Sequence, residues 1–193
     1  MEFLEFLENN SLATWVAESP SIFAYPTLLA VHTYGMAFMV GTSTAIALRL
    51  LGCAAGVPLA PLRKFFPVIW LGFALSALSG ALLLMIDARL FLTMPAFYIK
   101  ILAIVAAVTM MRLLRTRVFG DRGSVDTGPL PRKHRVLAGG VLFCWAVAIG
   151  AGRVTAYEPS TGLKTALAVL ILTAVFFVGR YVALRIWGAK ATA

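Results

Sequence analysis

Three side chains in one apolar run carry most of the chemistry this sequence offers: His32, Met36 and Met39, within PTLLAVHTYGMAFMVGTSTAIALRLLG (26–52). They recur at i, i+4 and i+7, so a helix through this run presents one imidazole and two thioethers on a single face. An ionisable group inside a long apolar run costs free energy unless it finds a partner, which makes His32 a functional candidate by default. Imidazole is an axial ligand for haem iron, and imidazole with thioethers suits Cu(I). A second stripe on the same helix, Ala37, Gly41 and Ala45, is built of small residues at intervals of four and predicts close approach of another helix.

The partners available to His32 are the polar and thioether groups expected at the same end of the other apolar runs: Met85, Asp87, Arg89, Lys100, Arg153, Tyr157 and Glu158. A b-type haem on His32 would set its propionates where Lys100, Arg153 or Arg89 could neutralise them. Its second axial ligand would be Met85, the His32 of another copy, or absent. Copper on His32, Met36 and Met39 is the rival cofactor, although the dense Met/His clusters of a dedicated copper conduit are missing. Lys100 and Asp87 admit a proton or ion path, against which stands simple ion pairing or snorkelling near a span end.

His134 belongs to a solvated basic cluster, Arg132-Lys133-His134-Arg135, at the opposite surface, too far from His32 for bis-histidine ligation. Cys53 and Cys144 are expected as free thiols, and there is no CxxC, HExxH or phosphate loop. Ser76 and Ser79 fall in a helix-packing face with no histidine expected beside them. No hydrolase or transferase motif is present, so an enzymatic role would be at most that of a redox subunit.

The elements that must position these groups follow from composition. Of 193 residues 61% are hydrophobic and 13% charged, and the mean hydropathy is +0.90. Soluble domains run at about 45–50% apolar and 25% charged. The chain is therefore predicted to be an all-α integral membrane bundle, one membrane domain over residues 1–193. A span needs about 20 apolar residues to cross a hydrocarbon layer of about 30 Å. Five runs qualify, at about 26–51, 65–86, 96–114, 136–152 and 163–186. Residues 1–19 are acidic and lack a signal peptide's basic start; their apolar residues at helical spacing predict a short amphipathic segment in the interface. Gly72, Ser76 and Gly80 form a further small-residue stripe in the second run. Residues 115–135, rich in Gly, Pro and charge, predict a solvated cytoplasmic loop.

Seventeen Lys and Arg divide thirteen to four between the two sides of this topology. The positive-inside rule then puts the C-terminus in the cytoplasm and the N-terminus outside, in the periplasm of a bacterial inner membrane. His32 falls in the outer half. The net charge of +9 flanks apolar runs instead of building a basic domain, which argues for topology and against nucleic acid. The lipid bilayer is the expected surrounding.

The segments HTYGMAFMVGTSTAIALRLLG, GFALSALSGALLLMIDA, PAFYIK and GRVTAY together resemble a bacterial family of small polytopic membrane proteins of unknown function. That family is distantly similar to the membrane domain of copper resistance protein D and to haem-carrying helical bundles. Its recurring positions stand here as His32, Gly41, Arg49, Gly80, Asp87, Lys100 and Arg153, while Ala47 replaces an acidic residue of the family pattern. The resemblance implies that His32, Asp87, Lys100 and Arg153 belong to one site. The leading expectation is a haem-binding membrane subunit for electron transfer, working with a periplasmic or membrane redox partner or as a homodimer. The alternatives are a non-catalytic membrane anchor or assembly subunit, and a copper or small-solute transporter.

Overall fold

A computed structural model describes residues 2–120 and 131–155, together with Lys164, Leu167, Ile171 and Ala174. Two short helices, α1 (Glu2–Glu8) and α2 (Ser11–Glu18), lead into α3 (Tyr25–Leu51). A 3₁₀ turn (Ala60–Phe65) opens α4 (Phe66–Ile86), α5 (Ala88–Thr93) is a short corner, and α6 (Pro95–Val118) and α7 (Arg132–Val154) complete the described chain. Among the described residues, four helices are long and apolar enough to cross a membrane. The expected fifth span, 163–186, lies outside them except for four helical, exposed positions.

The helix ends have local causes. Asn10 caps α2 by accepting from the N–H groups of Leu12 and Ala13 at 3.0 and 2.9 Å, and Pro26 and Pro95 occupy first-turn positions where a missing N–H costs nothing. Gly52 ends α3 with φ of 95°, the left-handed conformation that a Cβ disfavours. The basic cluster after the third span is part of α6, which runs to Val118, and α7 begins at Arg132. The connection expected over 115–135 is shorter by a turn at either end, because Arg and Lys are good helix formers and suit a helix end near headgroups.

Packing order is α4, α3, α7, α6: α3 packs most extensively on α4, α6 on α7, and α3 on α7 joins the two pairs. The α3–α4 crossing is close because two glycines meet there. A Cβ on Gly72 would stand 2.7 Å from the Gly35 carbonyl, and one on Gly35 2.8 Å from the Ser76 nitrogen. The predicted stripe of Ala37, Gly41 and Ala45 is instead exposed, and a Cβ on Gly41 would meet no described atom within 4 Å. Gly35, one turn earlier and round the helix, makes the approach.

Basic groups gather at one end of the bundle. There Arg135 donates to Leu51 O at 3.4 Å, Arg49 to Val57 O, and the Arg112 guanidinium lies 4.9 Å from the centre of the Trp70 ring. The core of Ile46, Leu50, Phe66, Met111, Leu114 and Val141 fills the same end. Outward, the pattern inverts that of a soluble protein. Only 22–33% of each apolar span window is buried, and Leu71, Leu78, Leu102 and Phe143 are each at least 60% exposed. Apolar area of that extent is compatible with lipid, not water.

Candidate functional site

At the end opposite the basic cluster, α4 and α6 separate and leave a cavity of about 390 Å³ between α3, α4, α6 and α7. Phe73, Phe97, Ile104 and Trp145 make its walls apolar. His32, Met36 and Met39 all line it from α3, as their spacing requires, and Lys100 lines it from α6. Ala77 on α4 and Ile101 and Val105 on α6 line it while remaining exposed, so its mouth opens sideways between these two helices.

His32 is held by α4. Its Nδ1–H donates to Ser76 O at 2.9 Å and meets Ser79 Oγ at 3.1 Å. The Ser79 hydroxyl spends its own proton on Leu75 O at 2.6 Å, which leaves its oxygen free to accept. A carbonyl can only accept, so Nδ1 carries the ring proton and the neutral imidazole keeps its lone pair on Nε2. Gly80 makes room for the ring: a Cβ there would stand 3.0 Å from His32 Cε1. The Gly72, Ser76, Gly80 stripe thus serves two purposes, helix approach at its first member and seating of an imidazole at its last. Ser79 and the Ser76 carbonyl were the partners that sequence reasoning missed, since Ser76 and Ser79 were expected without a histidine nearby.

One further polar group lines this cavity. Lys100 runs along Gly152, where a Cβ would sit 3.5 Å from its Cε, and no acceptor or acidic side chain among the described residues pairs with its ammonium. Trp145 is 3% exposed, and its indole nitrogen is covered and has no acceptor among the described residues. Among the described residues the cavity therefore offers one lone pair and one cation, and no carboxylate.

The other sequence candidates lie elsewhere. Met85 is half-buried and does not line the cavity. Arg89 turns to the N-terminal helices, 3.2 Å from Glu8 and 3.6 Å from Glu5, and its backbone N–H donates to Glu8 at 2.8 Å. Asp87 caps α5, accepting from Leu90 N at 3.3 Å. Arg153 is exposed and outside the cavity. Tyr157 and Glu158 lie outside the described residues. His134 departs from expectation: it is 8% exposed, not solvated, and its Nδ1 has no partner among the described residues. It occupies the first turn of α7 beside the Leu51 end of α3, nineteen residues or about 28 Å along the helix from His32. Among the described residues no group of three His, Cys, Asp or Glu could hold a metal ion.

No protein-family model matches the chain, and neither a curated protein nor a solved structure does.

Proposed function

We propose that the His32 cavity is the cofactor site of an electron-transfer subunit in a bacterial inner membrane, with a b-type haem held through His32 Nε2. The observation that carries this reading is the hydrogen bond from His32 Nδ1–H to the Ser76 carbonyl. Metal-ligating histidines donate their other ring N–H in this way, which fixes the tautomer and raises the basicity of the ligating nitrogen. The apolar walls suit a porphyrin, and Lys100 supplies the cation that a propionate in low dielectric requires. Bound there, the haem would supply one-electron transfer, while the protein orients it and excludes water. His32 is the residue that would hold the iron, while Met36 and Met39, on the same helix face, would line the pocket beside it.

A second reading has its own observation. All three donors of the Cu(I) set, His32, Met36 and Met39, line the one cavity, and donors from a single helix face can converge on one side of a small soft ion. A membrane anchor without cofactor is the remaining alternative. The gathering of basic residues at the opposite end of the four described spans supports an N-terminus outside, with α1 and α2 in the interface.

The absorption spectrum of protein purified from haem-supplemented cells tests the first reading. A Soret band lost or strongly shifted in His32→Ala, and unaltered in His134→Ala, is the expected result. A colourless protein in both preparations would end it. Stoichiometric copper lost in His32→Ala and reduced in Met36→Ala would select the second reading.

A further inference from the structure

A second concavity, of about 590 Å³, lies at the basic end of the bundle between α4 and α6, far from His32. Arg63, Arg112 and Arg115 line it together with Trp70 and Thr116, and no acidic residue among the described ones does. Two of the guanidiniums are held on aromatic faces. Arg112 stacks over Trp70 at 4.9 Å and Arg115 over Phe66 at 5.8 Å. Stacking of this kind fixes the plane of a guanidinium while leaving its N–H edge free for an anion.

The indole N–H of Trp70 is buried and has no acceptor among the described residues; its nitrogen is covered, so Trp70 serves the concavity as the aromatic face on which Arg112 is held. Thr116 adds no competing claim, because its hydroxyl already donates to Arg112 O and Leu113 O at 3.2 and 3.1 Å.

We infer that this concavity is a binding site for a phosphate group, with Arg112 and Arg115 as its donors. A phospholipid headgroup is the favoured source. The site lies at the end of two spans, and beside it Phe65 and Leu71 are 46% and 60% exposed, an apolar surface along which acyl chains can lie. Basic pockets between membrane helices recognise anionic headgroups through these same contacts. The site is independent of whether His32 holds a cofactor.

The test is lipid binding to the purified full chain in detergent, read by native mass spectrometry against phosphatidylglycerol, phosphatidylcholine and inorganic phosphate. Phosphatidylglycerol is expected to bind in preference to phosphatidylcholine. Arg112→Gln and Arg115→Gln should each weaken it by about fivefold, the effect of one basic residue near a headgroup. Trp70→Phe keeps the aromatic face that orients Arg112 and should leave binding near its wild-type value, whereas Trp70→Leu removes that face and should weaken binding by about threefold. Arg135→Gln, at the same end but outside the concavity, should leave binding unchanged. Inorganic phosphate that displaces the lipid and protects the chain equally well would assign the site to a soluble phosphate compound; protection by phosphatidylglycerol alone assigns it to the headgroup. Equal binding of the two lipids would overturn the proposal, as would wild-type affinity in the arginine variants. Should an arginine variant fail to fold, the lipid preference of the unaltered chain and the affinity of Trp70→Leu decide.

Discussion

The imidazole of His32 is fastened to the main chain of Ser76, 44 residues away on the neighbouring helix, through a 2.9 Å hydrogen bond from Nδ1–H. A backbone acceptor cannot be removed by substitution, so the orientation of the ring is tied to the α3–α4 crossing itself. The Ser79 hydroxyl is the replaceable half of that arrangement. Ser79→Ala should leave the ring in place and lower its hold by about 1 kcal/mol, the net worth of one hydrogen bond. Under the proposed haem reading, cofactor content per protein, against His32→Ala as the empty reference, measures it.

Glycine substitutions separate close packing from open surface. Gly72→Ala drives a Cβ to 2.7 Å from the Gly35 carbonyl and should destabilise by about 1–3 kcal/mol, the usual cost of overpacking. Gly41→Ala meets no described atom within 4 Å and should be neutral or stabilising by up to about 1 kcal/mol through helix propensity. Thermal unfolding in one detergent compares them, and equal losses would contradict the crossing described above.

Lys100→Met is expected to act with opposite signs on the empty and loaded protein. Without a ligand, replacing an unpartnered cation in an apolar cavity with an isosteric apolar chain should raise the unfolding temperature. With an anionic ligand the same change should speed ligand loss, because a carboxylate would stay unpaired in low dielectric. Unfolding temperature and ligand release rate, measured on the same preparations, check both signs.

Arg89→Gln should reduce global stability by less than about 1 kcal/mol, since its pairs with Glu5 and Glu8 are exposed. Its effect belongs to the N-terminal helices, which those pairs join to the start of α5. Limited proteolysis should release residues before Ser19 faster in Arg89→Gln than in the unaltered chain, with the spans intact.

Cys53 follows α3 at the basic end and is exposed, whereas Cys144 is half-buried inside a span. In a Cys144→Ser background, a membrane-impermeant maleimide should leave Cys53 unlabelled in intact spheroplasts and label it after permeabilisation. Labelling of intact spheroplasts would reverse the proposed orientation.

The four described spans were legible because length and apolar content alone decide whether a helix can cross lipid, and α3 begins within one residue of its expected start. The face shared by His32, Met36 and Met39 was legible for the same reason, being a property of one helix. What faces that histidine was not. Ser76 and Ser79 reach it through the register between helices, and small-residue stripes on α3 and α4 permit several registers. Arg89 shows the same limit in electrostatics: any of several anions could have paired with it, and Glu5 and Glu8, more than 80 positions earlier, do so.

The contact of Gly35 with Gly72 also sets how the two helices can move. Backbones that touch at one point rock about that point, and displacement grows with distance from it. His32 is three residues from Gly35, about 4.5 Å along the axis, so a rocking of about 10° would carry it less than about 1 Å. The far end of α4, at Ile86, stands about 21 Å from Gly72, and the same rocking would carry it nearly 4 Å. The imidazole thus sits close to the fulcrum, and the far end of α4 rides at the tip of the lever. The α4 wall of the cavity could swing outward, more with each turn past Gly72, while the His32 ring stays nearly still.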